Sequence, residues 1–244
     1  MQEIRKRKEN LEKTIAEFFP EAKAAIVYGS NGDQYIPGVS DIDLVVIGPE
    51  NNNVEGILET LHGSRPEVDP VYISENDLAQ SKFKGKALEK SYELHKFDLY
   101  RIKRQGKLLF GDSSILNLFP EVNLRDALLD TLPHIKEVFI PRLRDGLEGQ
   151  DNPENFLAEN IGIILVVVRA IYSIETGQYG SKIMALEYLQ NRYPDFAELL
   201  EHIKKLYLRQ NTQNNKFFVN DIKSLLDLAL KKFDTYLTET NQPY

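Results

Sequence analysis

The sequence predicts an α+β chain of two domains, the first of mixed strands and helices and the second all helical. Apolar strand-like runs alternate with helical segments early in the chain, whereas only helical periodicity follows the polar stretch from Asn117 to Asn123. We place the boundary in that stretch, so the domains are expected at 1–118 and 119–244. A chain of 244 residues suffices for one large or two small cores.

The elements of the N-terminal domain are predicted from apolar runs and their breaks. The first helix is amphipathic and ends before Pro20, which does not continue a helix. From about Ser91 onward the pattern is helical, apart from a short apolar piece at 107–110. In order, we expect a helix over 2–18, strands near 23–29 and 41–48, a helix near 54–62 and a strand near 67–73.

The C-terminal domain is predicted as a bundle of helices separated by turn-rich breaks. The breaks lie at 149–153, 177–180 and 211–215. One helix start is well marked, because Asn152 is a favourable cap and Pro153 suits the first turn. We expect helices at roughly 123–147, 153–176, 181–192, 195–209 and 218–239.

Composition excludes several classes of protein. The formal net charge is -7, whereas binding long nucleic acid requires a basic footprint. The basic clusters Arg5 to Lys8 and Lys82 to Lys86 lie beside glutamates and are interpreted as solvated helix faces. The absence of cysteine excludes disulfides and thiolate zinc sites. No apolar segment indicates export and no run approaches membrane-spanning length, so we expect a cytoplasmic protein without a membrane partner.

Two aspartates stand at the start of the second apolar strand. Asp41 and Asp43 are two residues apart, so on a strand both side chains point to one face while Ile42 and Leu44 point to the other. Carboxylates this close repel each other unless a cation lies between them. Mg²⁺ prefers oxygen ligands and commonly binds one or two carboxylates together with nucleotide phosphates. The pair therefore favours a metal-dependent nucleotide site over a solvated acidic loop.

A Gly-Ser turn follows the first apolar strand. Gly29 lets the backbone approach an anion closely, and Ser30 offers N–H and hydroxyl donors to phosphate oxygens. By itself a Gly-Ser pair is only a turn. Its position before the two aspartates predicts a phosphate site beside the metal.

Together, Tyr28-Gly29-Ser30 and Ser40-Asp41-Ile42-Asp43-Leu44 resemble the signature of the nucleotidyltransferases built on the DNA polymerase β palm. The resemblance implies a palm-like N-terminal domain and a third carboxylate on a neighbouring strand. The residues that it implies are Gly29, Ser30 and Ser40 for the nucleotide, and Asp41 and Asp43 for two Mg²⁺ ions.

The third carboxylate is sought in the run from Glu67 to Ile73. Glu67 and Asp69 alternate onto one face of this predicted strand. In the helical two-domain branch of the superfamily the third acid precedes a Tyr-Ile or similar pair, which points to Asp69, with Glu67 as the alternative. Pro70 favours an edge position for the strand, because proline removes a ladder donor.

Two basic residues stand out in the helical half. Arg169 interrupts an apolar run and has no acidic neighbour three or four residues away, so its partner is non-local. A largely buried guanidinium needs a carboxylate or phosphate, so an interhelix salt bridge and a nucleotide contact both fit. Lys182 stands at a predicted helix start, where a cation opposes the helix dipole unless an anion is bound.

The helical half resembles the second domain of the aminoglycoside adenylyltransferases that modify streptomycin and spectinomycin. The segments that carry the resemblance are 98–111, 169–177 and Arg192-Tyr193-Pro194, together with Lys182. It implies that Arg169 and Lys182 bind nucleotide phosphates and that Glu159 contacts the acceptor, where Glu67 is a second candidate. The chain has no tryptophan, which the drug-modifying members use to pack the aminoglycoside.

The expected function is Mg²⁺-dependent transfer of AMP from ATP to a hydroxyl group of a small molecule, with an aminoglycoside as the leading acceptor. Asp41, Asp43 and Asp69 are the expected metal ligands and catalytic acids. Nucleotide transfer to a protein, as in antitoxin-like members, and nucleotide binding without turnover are the alternatives. The acceptor, the preferred nucleotide and the oligomeric state stay open.

Overall fold

The computed structural model describes residues 12–29, 42–50, 54, 58, 59, 68–87, 90–148, 153–210 and 218–240. By internal contacts the chain divides into two compact units, Met1–Asn123 and Leu124–Tyr244. Strands and helices alternate in the first unit, and the described part of the second is helical. The predicted α+β class with a C-terminal helical region is confirmed. The boundary expected from the sequence, after residue 118, lies five residues before this division.

Six strands of the described part form one sheet. They are β1 (Ala24–Tyr28), β2 (Ile42–Gly48), β3 (Val68–Ser74), β4 (Lys84–Ala87), β5 (Lys90–Glu93) and β6 (Lys107–Phe110). Their order across the sheet is β5-β4-β3-β2-β1-β6. Strands β2 and β3 are parallel, and the other neighbouring pairs are antiparallel.

The three inner strands β1, β2 and β3 are nearly continuous apolar runs because both faces of the sheet are covered there. One face packs in a core cluster that includes Ile42 and Leu44 of β2, Ile15 of the N-terminal helix and Phe19 just after that helix. Described residues 12–18 are helical, as are 54, 58 and 59, in agreement with the predicted helices. Helices α1 (Glu75–Ala79) and α2 (Lys96–Gln105) complete the described helices of this unit, and a 3₁₀ helix spans Ser113–Leu118.

Two expectations about this unit are wrong. The basic stretch near Lys84 is part of the hairpin β4–β5 rather than a helix face, and Lys84 pairs in register with Glu93 across it. The apolar piece at 107–110, for which no element was predicted, is an edge strand beside β1. Pro70 does not mark an edge, because β3 lies between β2 and β4. Each depends on strand pairing, which local propensity does not specify.

The described part of the second unit consists of helices with bounds close to those predicted. They are α3 (Leu124–His134), α4 (Ile140–Glu148), α5 (Pro153–Thr176), α6 (Lys182–Arg192), α7 (Ala197–Tyr207) and α8 (Val219–Thr240). A π-helical segment, Ile135–Phe139, joins α3 to α4 just after Pro133. Proline removes one donor from the helical ladder, and the backbone widens in the following turn.

Helix α5 is the most apolar helix of the described part and carries Arg169. Its segment Phe156–Thr176 is long and apolar enough to cross a membrane, with a mean hydropathy of 1.8, so the expectation that no run reaches that length is wrong. Most of this segment is buried within the protein. Such burial is what a core helix shows, and α5 packs against α6 and α8.

Candidate active site

Gly29 follows β1 with a φ of +73°, a conformation that side chains with a Cβ rarely adopt. The preceding residue, Tyr28, pairs in register with Asp43 of β2. A Cβ on Gly29 would lie 1.9 Å from Oδ2 of Asp43 and 2.0 Å from Nη2 of Arg101. Glycine is therefore required here both by the backbone and by the side chains that pass across it.

Asp43 lies on the sheet face opposite the core cluster, since its neighbours Ile42 and Leu44 belong to that cluster. This is the alternation expected of a strand. Its side chain is 16% exposed, so the carboxylate is mostly withdrawn from water. A carboxylate so placed needs partners for its charge.

Asp69 of β3 is the register partner of Asp43. Paired residues on neighbouring strands share a face and lie about 4.8 Å apart. Asp69 is exposed, whereas the residues on either side of it, Val68 and Pro70, are buried. The structure thus places two of the three predicted carboxylates side by side, next to the Gly29 turn.

Arg101 belongs to this site, and the sequence reasoning missed it. Its Nη2 donates a hydrogen bond to Oδ2 of Asp43 over 2.7 Å, and its guanidinium lies 5.2 Å from the centre of the Tyr28 ring. The residue is 9% exposed and projects from the buried side of α2, together with Leu99 and Ile102. A permanent positive charge therefore lies against one candidate metal ligand.

Asp98 connects Arg101 to the start of α2. One carboxylate oxygen, Oδ2, accepts from the backbone N–H of His95 at 3.3 Å, and the other, Oδ1, lies 3.6 Å from Nη1 of Arg101. The signal in the sequence was an acid three residues before an arginine, with that arginine on the apolar side of a helix. No local feature of the sequence indicated that Arg101 also pairs with Asp43.

The described part of this site offers a divalent cation two carboxylates, from Asp43 and Asp69. Among the residues that the structure describes there is no group of three or more His, Cys, Asp or Glu side chains able to hold a metal ion. Mg²⁺ commonly takes only one or two carboxylates beside nucleotide phosphates, so this donor set fits it. The other predicted site residues of this unit, Ser30, Ser40, Asp41 and Glu67, lie outside the described residues.

Arg169 is 7% exposed in α5 of the helical unit. Its guanidinium lies 4.9 Å from the centre of the Tyr179 ring, in the turn between α5 and α6. An aromatic face is thus one of its partners, which sequence reasoning did not consider. A planar guanidinium over a ring keeps its edges available for carboxylate or phosphate oxygens.

Lys182 is the first residue of α6, as predicted. The cap is Ser181, whose hydroxyl accepts from the backbone N–H of Met184 at 3.0 Å. The Lys182 ammonium lies 5.3 Å from the centre of the Tyr207 ring. Arg169 and Lys182 thus belong to the two helices that this turn connects, α5 and α6, and each lies over a tyrosine ring.

Glu159 is exposed on α5, six positions after the first residue, Pro153. It precedes Arg169 by ten positions, roughly 15 Å along the helix axis. Because the helix begins at Pro153, Glu159 does not cap its start. An exposed carboxylate on a helix is available to a cationic group.

A separate charged cluster in the helical unit joins the end of α5 to α8. The Glu175 carboxylate, 10% exposed, forms an ion pair with Lys232 and accepts a hydrogen bond from the Tyr193 hydroxyl. Burial alone would raise the pKa of Glu175, but these two hydrogen bonds and the Lys232 charge outweigh it and lower the pKa. The hydrogen bond between Lys232 and Glu175 raises the pKa of Lys232. Both groups are therefore charged at neutral pH.

Comparison with solved structures places this fold. The structure of spectinomycin adenyltransferase AAD(9) from Enterococcus faecialis with ATP and spectinomycin matches with a TM-score of 0.63 and 17% identity, covering 93% of this chain and 98% of that chain. A mutant of the toxin-antitoxin pair MntA-HpeT matches with a TM-score of 0.32 and 16% identity, covering 46% of this chain and 79% of that chain. No protein-family model matches, and no curated protein matches. Over most of its length the chain has the fold of the AAD(9) adenyltransferase, which confirms at the level of the fold the resemblance predicted from its motifs.

Proposed function

We propose that this chain is a Mg²⁺-dependent nucleotidyltransferase that moves AMP from ATP to a hydroxyl group of a small molecule. The observation that supports it most is the register pair of Asp43 and Asp69 beside Gly29. Two carboxylates next to a glycine turn suit a divalent cation and a phosphate chain. Likeness in fold to an adenyltransferase solved with ATP supports the same class of reaction.

In the proposed step the acceptor oxygen bonds to the α-phosphorus of ATP. The bond from that phosphorus to the oxygen bridging to the β-phosphate breaks, and pyrophosphate leaves. The acceptor proton passes to a carboxylate, and we assign Asp69 because it is the more exposed acid of the pair. Asp41, Asp43 and Asp69 would hold two Mg²⁺ ions, whose charge stabilises the attacking and leaving oxygens.

The phosphates of ATP would meet donors of two kinds. Gly29, Ser30 and Ser40 would offer backbone and hydroxyl donors, as glycine turns do for phosphate oxygens. Arg169 and Lys182 would neutralise charge, and the placement of Lys182 at a helix start becomes favourable once an anion is bound. Each cation lies over a tyrosine ring that limits its freedom before the nucleotide arrives.

The acceptor that fits best is a cationic molecule rich in hydroxyl groups. The chain carries a net charge of -7, and Glu159 is an exposed carboxylate able to meet an ammonium group; Glu67 is a second candidate. Spectinomycin is a leading acceptor, since AAD(9) was solved with it. Streptomycin is the other, because the helical half resembles the family that modifies both drugs. Tyrosine or phenylalanine would pack the sugar ring, because the chain has no tryptophan.

Product analysis tests this function. The purified chain is incubated with Mg²⁺, each of the four nucleoside triphosphates, and a panel of aminoglycosides and other hydroxylated metabolites. We expect pyrophosphate release with ATP, an acceptor heavier by AMP in the mass spectrum, and neither product from Asp69→Asn. Absence of modified acceptor with every nucleotide would contradict the proposal. AMP found only on protein would show that the acceptor is a protein rather than a small molecule.

A further inference from the structure

Arg101 presents a problem for the proposed metal site, because a guanidinium normally repels a divalent cation. Its Nη2 lies 2.7 Å from Oδ2 of Asp43, and both side chains are nearly buried, at 11% and 16% exposed. Arginine stays protonated at all physiological pH values, so this charge is permanent. Before any metal binds, one candidate ligand is already neutralised by the chain itself.

The surroundings fix Arg101 in this position. Asp98 lies 3.6 Å from Nη1 while accepting from the backbone of His95, which anchors it to the first turn of α2. The Tyr28 ring lies beside the guanidinium, and the missing Cβ of Gly29 leaves space for the ion pair. Asp98 and Tyr28 thus hold the arginine against Asp43.

A counter-charge is useful here because Asp43 and Asp69 are register partners, and two adjacent carboxylates repel each other. We propose that Arg101 is a positioning residue that serves as the resident counter-ion of Asp43, orienting its carboxylate while weakening metal binding to the nucleotide-free protein. Metal then binds mainly together with ATP, whose phosphates supply further oxygen ligands. The inference rests on the proposed function, since it assigns Asp43 as a metal ligand.

Two opposite effects are expected from removing the charge of Arg101. Arg101→Gln frees Oδ2 of Asp43 and removes a buried positive charge, so affinity for Mn²⁺ rises. The same change releases the orientation of the carboxylate, so turnover falls; partners that orient ligands typically contribute 10–100-fold. A purely structural arginine would not strengthen metal binding when it is lost.

Mn²⁺ binding to the nucleotide-free chain, followed by electron paramagnetic resonance, measures the first effect, and pyrophosphate release measures the second. We expect at least tenfold tighter Mn²⁺ binding and at least tenfold lower turnover for Arg101→Gln. Arg101→Lys keeps the charge but not the planar fork, so Mn²⁺ affinity stays within threefold of the parent while turnover falls. Arg104→Gln, on the exposed side of the same helix, changes neither.

Unchanged or weaker Mn²⁺ binding by Arg101→Gln, with ATP turnover intact in the parent chain, would overturn the role of Arg101 and leave the proposed function standing. Failure of the parent and all variants to bind Mn²⁺ or release pyrophosphate would overturn both. If circular dichroism shows that Arg101→Gln does not fold, Arg101→Lys becomes the deciding variant. Turnover by Arg101→Lys equal to that of the parent would then overturn the inference.

Discussion

Nη2 of Arg101 donates to Oδ2 of Asp43 over 2.7 Å, and this ion pair passes directly across Gly29. The two residues are 58 positions apart in the chain. Their contact joins α2 to the inner strand β2 and determines how the acidic end of that strand is presented.

Gly29→Ala should destabilise the chain more than the same change at a glycine with equal backbone strain. At Gly29 the new methyl group adds a clash with Asp43 and Arg101 to the cost of a positive φ. We expect a loss of about 3 kcal/mol. Gly177 is the control, because its φ is +65° and a Cβ there would meet nothing within 4 Å, so Gly177→Ala should cost about 1 kcal/mol. Differential scanning calorimetry measures both, and equal losses would contradict the clash.

Asp69→Asn should abolish transfer without destabilising the fold. Asp69 is exposed and sits beside Asp43, so removing its charge relieves repulsion rather than breaking a core contact. Loss of a proton acceptor and metal ligand should lower turnover at least about 100-fold. The control is Asp195→Asn, at an exposed acid in the helical unit. Pyrophosphate release and the melting temperature are the readouts, and turnover within twofold of the parent would remove Asp69 from the site.

Lys182→Met should weaken ATP binding while leaving stability almost unchanged. The methionine keeps an unbranched stem over Tyr207, and a cation at a helix start adds nothing to the helix itself. Loss of the phosphate contact should raise the Kd for ATP at least about tenfold, equivalent to about 1.4 kcal/mol. Lys205→Met is the control, since Lys205 is a half-buried lysine in an i,i+4 pair with Glu201. Titration calorimetry measures both affinities for ATP. Equal values for the parent and Lys182→Met would show that Lys182 has only a structural role.

Lys232→Met should destabilise the helical unit in a pH-dependent way. It leaves the Glu175 carboxylate, 10% exposed, without its cation, at a cost of about 2–3 kcal/mol; this is below the value for a fully buried pair because Lys232 is 32% exposed. Lys204→Met is the control, because the partner of Lys204, Glu187, is 51% exposed, and this change should cost less than about 1 kcal/mol.

The direction of the pH effect follows from the lowered pKa of Glu175. A carboxylate whose pKa is lower in the folded than in the unfolded chain stabilises fully above its ordinary pKa of 4.5 and loses that contribution as the pH falls below it. The difference in melting temperature between the parent and Lys232→Met should therefore be full at pH 7 and shrink below about pH 4.5. A difference that stays constant down to pH 3 would show that Lys232 acts by packing alone.

The sequence predicted much of the helical unit because its signals are local. The helix at 153–176 matches Pro153–Thr176, with proline at its first turn and Gly177, at positive φ, just after its end. The inner strands β1, β2 and β3 were equally visible as apolar runs. The hairpin Lys84–Glu93 was missed because its alternating charges resemble a solvated helix, and only the pairing of its two strands makes it a sheet element.

For the candidate site, local sequence was enough to predict a glycine turn at Gly29 and to place Asp43 on the strand face opposite Ile42 and Leu44, since both depend on neighbours in the chain and on the strand period of two. It also placed Lys182 at a helix start. The positions of Asp69 beside Asp43 and of Arg101 against Asp43 could not be predicted, because strand register and a contact over 58 positions depend on how distant segments pack. Local propensity acts within a few residues, whereas the charge balance of the site is set by chain segments that meet only when the sheet forms.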